Sequence, residues 1–277
     1  MRVNYPSGMI ARTYKIFTWL SLDVTAGTIV VMYFLSHEFG TPVQWSEVVA
    51  LGLAVWVIYS IDHLLDARVA SEPVSERRKF HREHFKTLFF LTILAVSLGI
   101  WVATFLSKEV IVFGGILAIV AIGYLALAQI RRWAGFKEVQ IAIGYAGGVS
   151  LVPLVNLEVV EPWHWLAISL LFLSALVNLI LFSWFERKQD QQEGFTSLVL
   201  FLGEKKISSI LTFIFVLTLL GAILLFQLRD SWRLAVFFLA AGAMNFGIWK
   251  YSDFFSKNNR YRAVGDAVFL LPLIWLT

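Results

Sequence analysis

The chain has 277 residues, of which 58% are hydrophobic, 16% aromatic and only 15% charged. Soluble domains carry roughly 25% charged residues, so this composition, with a mean hydropathy of +0.74, belongs to a membrane protein. There is no cysteine, which excludes disulfides, thiolate nucleophiles and zinc–sulfur sites, and a net charge of +4 gives no reason to expect a nucleic-acid partner.

Runs of about twenty apolar residues predict nine spans, at 14–36, 44–65, 86–106, 109–129, 138–156, 163–185, 206–227, 231–249 and 263–277. The last is short and is expected to tilt or lie partly in the interface. Segments of this length satisfy their backbone in lipid as helices. The expectation is an all-α bundle, one polytopic membrane domain over 1–277. The polar start, Met1 to Lys15, lacks a signal-peptide cleavage site, so the first span is expected to be retained.

Lys and Arg set the orientation. With the N-terminus inside, segments 1–15, 66–86, 130–137, 186–206 and 250–262 hold 20 of the 23 basic residues. Only Lys108, Arg229 and Arg233 fall outside. The positive-inside rule then places the N-terminus in the cytoplasm and the C-terminus outside.

Two acidic pairs close apolar runs on the inner side. Asp62 and Asp66 end the second span, and Glu186 and Asp190 end the sixth. Each pair is spaced i, i+4, so its carboxylates share one helix face and repel unless a cation lies between them. The two inner loops that follow, 62–86 and 186–206, are the longest and are where function is expected to concentrate. The first holds Arg77, Arg78, Lys79 and Arg82. Lipid anchoring explains many such clusters. Beside four carboxylates, however, the pattern also suits a magnesium–polyphosphate. Mg²⁺ bridges one or two carboxylates to phosphate oxygens, and guanidinium forks bind the remaining oxygens.

Polar residues inside spans are costly and usually face a cavity. Asp23 and Asn178 are the cavity candidates, with Tyr59 among the aromatics beside them; Asp266 is expected to pair with Arg262, one turn earlier. His81 and His84, at i and i+3, read as a solvated or headgroup-facing pair, and Glu83 and Glu193 as solvated charges. Gly144, Gly147 and Gly148 read as positions of close helix packing.

These acidic stretches resemble the motifs of the UbiA-type intramembrane prenyltransferase superfamily, N-D-x-x-D-x-x-x-D after helix two and D-x-x-x-D after helix six. Glu186, Asp190 and Gly194 follow the second pattern, continued by Phe195-Thr196-Ser197-Leu198 and Gly203. The stretch from Phe136-Lys137-Glu138 to Pro153 resembles the fifth helix of that family. Asp62 and Asp66 match the last two acidic positions of the first motif, whereas Ile58 and Tyr59 stand where the family has Asn and Asp. Glu186 also replaces an Asp.

The resemblance implies nine helices around a lateral apolar cavity. It further implies Mg²⁺-dependent transfer of an isoprenyl group from an isoprenyl diphosphate to a lipophilic, aromatic acceptor among membrane lipids. Asp62, Asp66, Glu186 and Asp190 would hold Mg²⁺–diphosphate. Arg68, Arg77, Arg78 and Lys188 would bind its oxygens. Trp56, Tyr59, Trp184 and Phe185 would shield the allylic cation. Two alternatives keep the same motifs: a related membrane terpene cyclase, and a non-catalytic protein that binds a prenyl lipid.

Overall fold

A computed structural model of the chain describes residues 9–69, 75–128, 136–229 and 231–276. The expected inner segments at 1–8, 70–74 and 130–135, and the ends of the fourth and ninth spans at residues 129 and 277, lie outside the described residues. Every regular element described is helical: α1 (Met9–Trp19), α2 (Leu22–Phe39), α3 (Trp45–Val69), α4 (Glu76–Glu83), α5 (Phe85–Ala103), α6 (Lys108–Ala128) and α7 (Lys137–Val155), then α8 (Pro162–Glu193), α9 (Leu198–Leu202), α10 (Glu204–Arg229) and α11 (Trp232–Lys250). The chain ends in short pieces, α12 (Ser252–Ser256), α13 (Arg260–Ala267) and α14 (Leu273–Leu276), joined by 3₁₀ turns.

Among the described residues six helices, α3, α5, α7, α8, α10 and α11, are long and apolar enough to cross a membrane, and α1 with α2 makes a seventh if that bent pair counts as one span. Nine spans are expected; the described residues show these six or seven, and the others depart from a plain apolar helix or run to the edge of the described residues. The first span breaks at Ser21, whose φ of 53° is left-handed, and α1 and α2 meet at 66°. A non-glycine residue in that region is uncommon; here the Ser21 hydroxyl hydrogen-bonds His63 Nε2 at 3.1 Å. The last segment is interrupted near Pro272, which offers no backbone N–H to continue a helix. The fourth, α6, is a 21-residue helix that ends at the border of the described residues.

α2 packs on α3 and α7, α7 on α6 and α8, and α8 on α10 and α11, while α5 lies against α3. The tightest packing is aromatic and branched: Phe34 of α2, Leu171 and Ile180 of α8, and Phe237 and Phe238 of α11 are fully buried. Phe34 meets Phe237 edge to face at 5.4 Å. In lipid, such contacts hold helices together through dispersion and shape, since the surrounding tails are as apolar as the side chains. The outer surface is correspondingly greasy. Phe90, Ile100, Ile119, Ile122 and Phe213 stand largely exposed, as suits a lipid-facing surface and not a watery one. The chain is an integral membrane protein.

At 32 residues, α8 is the longest helix among the described residues. At 1.5 Å per residue it runs about 48 Å, well beyond the ~30 Å hydrocarbon layer. Its C-terminal turns therefore extend past the apolar region, which is where Glu186, Asp190 and Glu193 are. Gly194, at φ 78°, ends it in the left-handed cap that glycine adopts without penalty.

Candidate functional site

Between α1, α2, α3, α4, α7, α8 and α13 lies a cavity of about 1690 Å³. Both acidic pairs line it: Asp62 and Asp66 from α3, Glu186 and Asp190 from α8. Arg77 and Arg78 reach it from α4, Lys137 from the start of α7 and Arg262 from α13. Asp23, Tyr59 and Asn178 also line it, as their positions in the sequence suggest.

Arg78 organises one side. Its Nη2 donates to Asp190 Oδ1 at 3.2 Å and lies 3.8 Å from Asp66 Oδ2, while Nη1 pairs with Glu193. The guanidinium is also 4.1 Å from the centre of the Phe195 ring. Only 5% of the side chain is exposed, which is the opposite of a lipid-headgroup anchor. Its helix is held in place locally: Ser75 caps α4 by accepting from the Arg78 amide at 3.1 Å, and the Ser75 amide donates to Glu193 Oε1 at 3.1 Å. Glu193 is thus buried and paired, not solvated as its place after the motif suggested. Its spacing, three residues beyond Asp190, puts it on the same face.

Glu186 is engaged from the other side. Its Oε1 accepts from the Tyr261 hydroxyl at 2.8 Å, from Arg262 Nε at 2.7 Å and from Arg262 Nη2. The Arg262 guanidinium sits 5.1 Å from the centre of the Phe182 ring. Gly265 permits this approach of α13 to α8: a Cβ there would lie 2.6 Å from Asn178 Oδ1 and 2.7 Å from Phe182 Cε1. Asn178 Nδ2 donates to the Gly265 carbonyl at 3.2 Å.

Arg262 therefore pairs with Glu186 and not with Asp266, as its i, i+4 spacing had suggested. Asp266 instead lies within hydrogen-bond reach of Asp23. The break at Ser21 explains why Asp23 is tolerated: it stands in the first turn of α2, where its carboxylate accepts from the Val24 amide at 2.9 Å.

Arg68 and Lys188 are exposed and do not line the cavity. Each is two residues from the acidic positions, about 200° around the helix, so it points away when they point in. Arg68 instead lies 5.7 Å from the centre of the Phe85 ring. Trp56, Trp184 and Phe185 are likewise outside the lining; Phe185 stacks on Tyr261 at 4.4 Å, which steadies the Tyr261–Glu186 contact. The aromatic wall is made by Tyr59, Tyr145, Phe182 and Phe269 among others.

His81 and His84 part company. His84 is exposed against Phe80, whereas His81 is buried against His63, with ring centres 5.0 Å apart. His81 Nδ1 donates to the Arg77 carbonyl at 2.9 Å. Burial, with the charge of Arg77 adding to it, pushes the His81 imidazole down to about 4. Burial also lowers the pKa of Arg77, an effect opposed by Glu186 and Asp66.

Lys137 and Glu138 escaped sequence reasoning. Glu138 is buried, accepts from the Ser183 hydroxyl and from the Leu198 amide, and so ties α7 to α8 and α9. Lys137 is close enough to Asp66 and Asp190 to couple with both.

Among the described residues, no three His, Asp or Glu side chains converge to hold a metal ion by themselves. Mg²⁺ does not require that, since it takes one or two carboxylates plus substrate phosphates and water. Asp62 and Asp66, neighbours on one turn at the cavity wall, fit that donor set. Glu186 fits it less well, because its charge is already paired with Arg262 and three donors converge on its Oε1.

No protein-family model matches the sequence, and no curated protein does. A solved structure does match: that of a digeranylgeranylglyceryl phosphate synthase in membranes, at 16% identity and a TM-score of 0.53, over 94% of this chain and 98% of that one. At that identity the likeness concerns the fold, and over nearly its whole length this chain shares the helical architecture of that membrane synthase.

Proposed function

We propose that the chain is a membrane prenyltransferase that ionises an isoprenyl diphosphate in this cavity and passes the prenyl group to a lipophilic, aromatic acceptor. The observation that carries the reading is the meeting, in one cavity, of both acidic pairs with Arg77, Arg78, Lys137 and Arg262. Acidic and basic groups interleaved this way suit a polyanion with its counter-cation. The same lining includes Leu179, Phe182 and Phe269, whose apolar surface suits a prenyl tail. The shared fold with a membrane prenyl-lipid synthase supports the same class.

In this reading Arg77, Arg78 and Arg262 face the diphosphate oxygens, and Asp62 and Asp66 hold Mg²⁺. A bound Mg²⁺ would neutralise the charge that develops on the leaving diphosphate. The C1–O bond of the prenyl diphosphate breaks and its electron pair leaves on the diphosphate. The acceptor's π electrons form the new C–C bond to the allylic cation, and the acceptor loses a proton. Aromatic faces, Tyr59 and Phe182 among them, would stabilise the cation and keep water from it. The polar end of the cavity, by the distribution of Lys and Arg, opens to the cytoplasm.

The test is direct. The purified protein in lipid nanodiscs is given geranyl, farnesyl or geranylgeranyl diphosphate with Mg²⁺ and an extract of membrane lipids. Diphosphate release and a prenylated product by mass spectrometry are expected. A released prenyl alcohol or cyclic hydrocarbon in place of that product would redirect the reading to a cyclase, and no release with any donor would end it.

A further inference from the structure

We propose that Arg262 is a built-in cation of the diphosphate site, so that the acidic arm on α8 is balanced by side chains and the chain loads one divalent ion with its diphosphate, not two. This inference rests on the prenyl diphosphate reading above and specifies how that site is charged.

Three observations lead to it. First, the acids of α8 are already matched by arginines. Glu186 takes Arg262 twice, with the Tyr261 hydroxyl on the same oxygen, and Asp190 and Glu193 are the nearer partners of Arg78, which stands farther, at 3.8 Å, from Asp66 on α3. A divalent ion on Glu186 would have to share a carboxylate that already takes three donors on Oε1, and would stand at close range to the Arg262 guanidinium. Second, this arrangement is built into the fold. Arg262 is positioned by Phe182 beneath it, by the Asn178–Gly265 bond and by the glycine that lets α13 close on α8. A side chain held so has lost little freedom on meeting an anion, and a guanidinium keeps its charge at any working pH. Third, α3 supplies one fewer acid than the motif it resembles. Tyr59 stands at the cavity wall where a carboxylate would add to Asp62 and Asp66. Fewer acids on α3 and neutralised acids on α8 both lower the number of dications that the site can balance.

The arrangement assigns each cation a place. A hard divalent ion sits on the Asp62–Asp66 arm, where two carboxylates share a helix face. The fixed guanidinium sits on the Glu186 arm and presents its remaining N–H groups to the diphosphate. Arg262 acts on the leaving group by charge and geometry, and Tyr261 acts only by positioning it.

The experiment counts ions. Mn²⁺ serves as the probe, and its free concentration is followed by electron paramagnetic resonance as it is titrated into the detergent-purified full chain with inorganic diphosphate. One Mn²⁺ per wild-type chain is expected, with the same count in Glu186→Gln, since Glu186 is not a metal ligand here. Arg262→Lys should keep that count. Arg262→Gln should weaken diphosphate binding at least tenfold at one Mn²⁺, and should admit a second ion on the released Glu186. Asp62→Asn with Asp66→Asn should lose the bound ion altogether. Two Mn²⁺ per wild-type chain, or a count that drops in Glu186→Gln, would overturn the inference while leaving the prenyl diphosphate reading intact. If neither Mn²⁺ nor diphosphate binds the wild type, that reading falls and the inference goes with it. Glu186→Gln decides the matter even if loss of Arg262 prevents folding.

Discussion

Replacing Arg78 with Met is the most demanding test of how the site is held together. The guanidinium is 95% buried and serves three carboxylates: Asp190 at 3.2 Å, Asp66 at 3.8 Å and Glu193 in direct contact. Met fills a similar volume over Phe195 but removes the buried guanidinium that those acids share. Breaking a buried pair from one side costs about 3–5 kcal/mol, mostly because the remaining charge is stranded. For a chain of this size, at about 2–4 °C per kcal/mol, the melting temperature in detergent should fall by roughly 6–20 °C. The same arithmetic predicts a rescue. Adding Asp190→Asn and Glu193→Gln to Arg78→Met removes the stranded charge and should recover more than half of the loss. Arg78→Lys, which keeps charge but not the fork, should fall between. Intrinsic tryptophan fluorescence during a thermal ramp reads all four proteins. A melting temperature for Arg78→Met within 2 °C of wild type, or no recovery on neutralising its partners, would refute the assignment of Arg78 as the shared counter-ion.

Asp66→Asn should abolish Mg²⁺-dependent diphosphate release from a prenyl diphosphate, Asp190→Asn should lower it by loosening Arg78, and Glu83→Gln, at an exposed position of the cavity lining, should leave it within about twofold. His81 gives a pH signature: its imidazole is held near 4 in the fold against about 6.5 unfolded, so below pH 6.5 the unfolded chain takes up a proton that the folded chain refuses. Stability should therefore fall as pH drops from about 6.5 to 4, by up to about 3 kcal/mol, and His81→Asn should flatten that slope in thermal scans. Gly265→Ala places a methyl group against Asn178 and Phe182, so it should lower the melting temperature and weaken diphosphate binding together. Cysteines at Lys79 and Gln192, both exposed, should react in inverted but not in right-side-out vesicles; labelling of the reverse kind would overturn the expected orientation.

What the sequence made legible follows from which properties are periodic. Apolar runs announced the helices, and i, i+4 spacing announced that Asp62 with Asp66, and Glu186 with Asp190, would each present one face; all four do line the same cavity. Breaks within spans were illegible for a reason of the same kind. A window of twenty residues averages over Ser21, and nothing in Leu20-Ser21-Leu22 announces a left-handed residue; its hydroxyl partner, His63, is forty-two positions away. The partners of the acids were illegible because they are not local. Arg262 lies 76 residues beyond Glu186, and Arg78 lies 112 before Asp190, so no spacing rule connects them. Where a local rule did offer partners it misled: Arg262 with Asp266 at i, i+4, and Arg68 and Lys188 beside the motifs. Counting by 100° steps would have removed Arg68 and Lys188 from the cavity without a structure, since residues two apart cannot share a face with the acids they follow. It would also have kept Glu193, which shares the face of Glu186 and Asp190 and closes the circuit of charge around Arg78. The discriminating signal in this chain is therefore which side of the helix a charge is on, and not how near it stands to the motif in sequence.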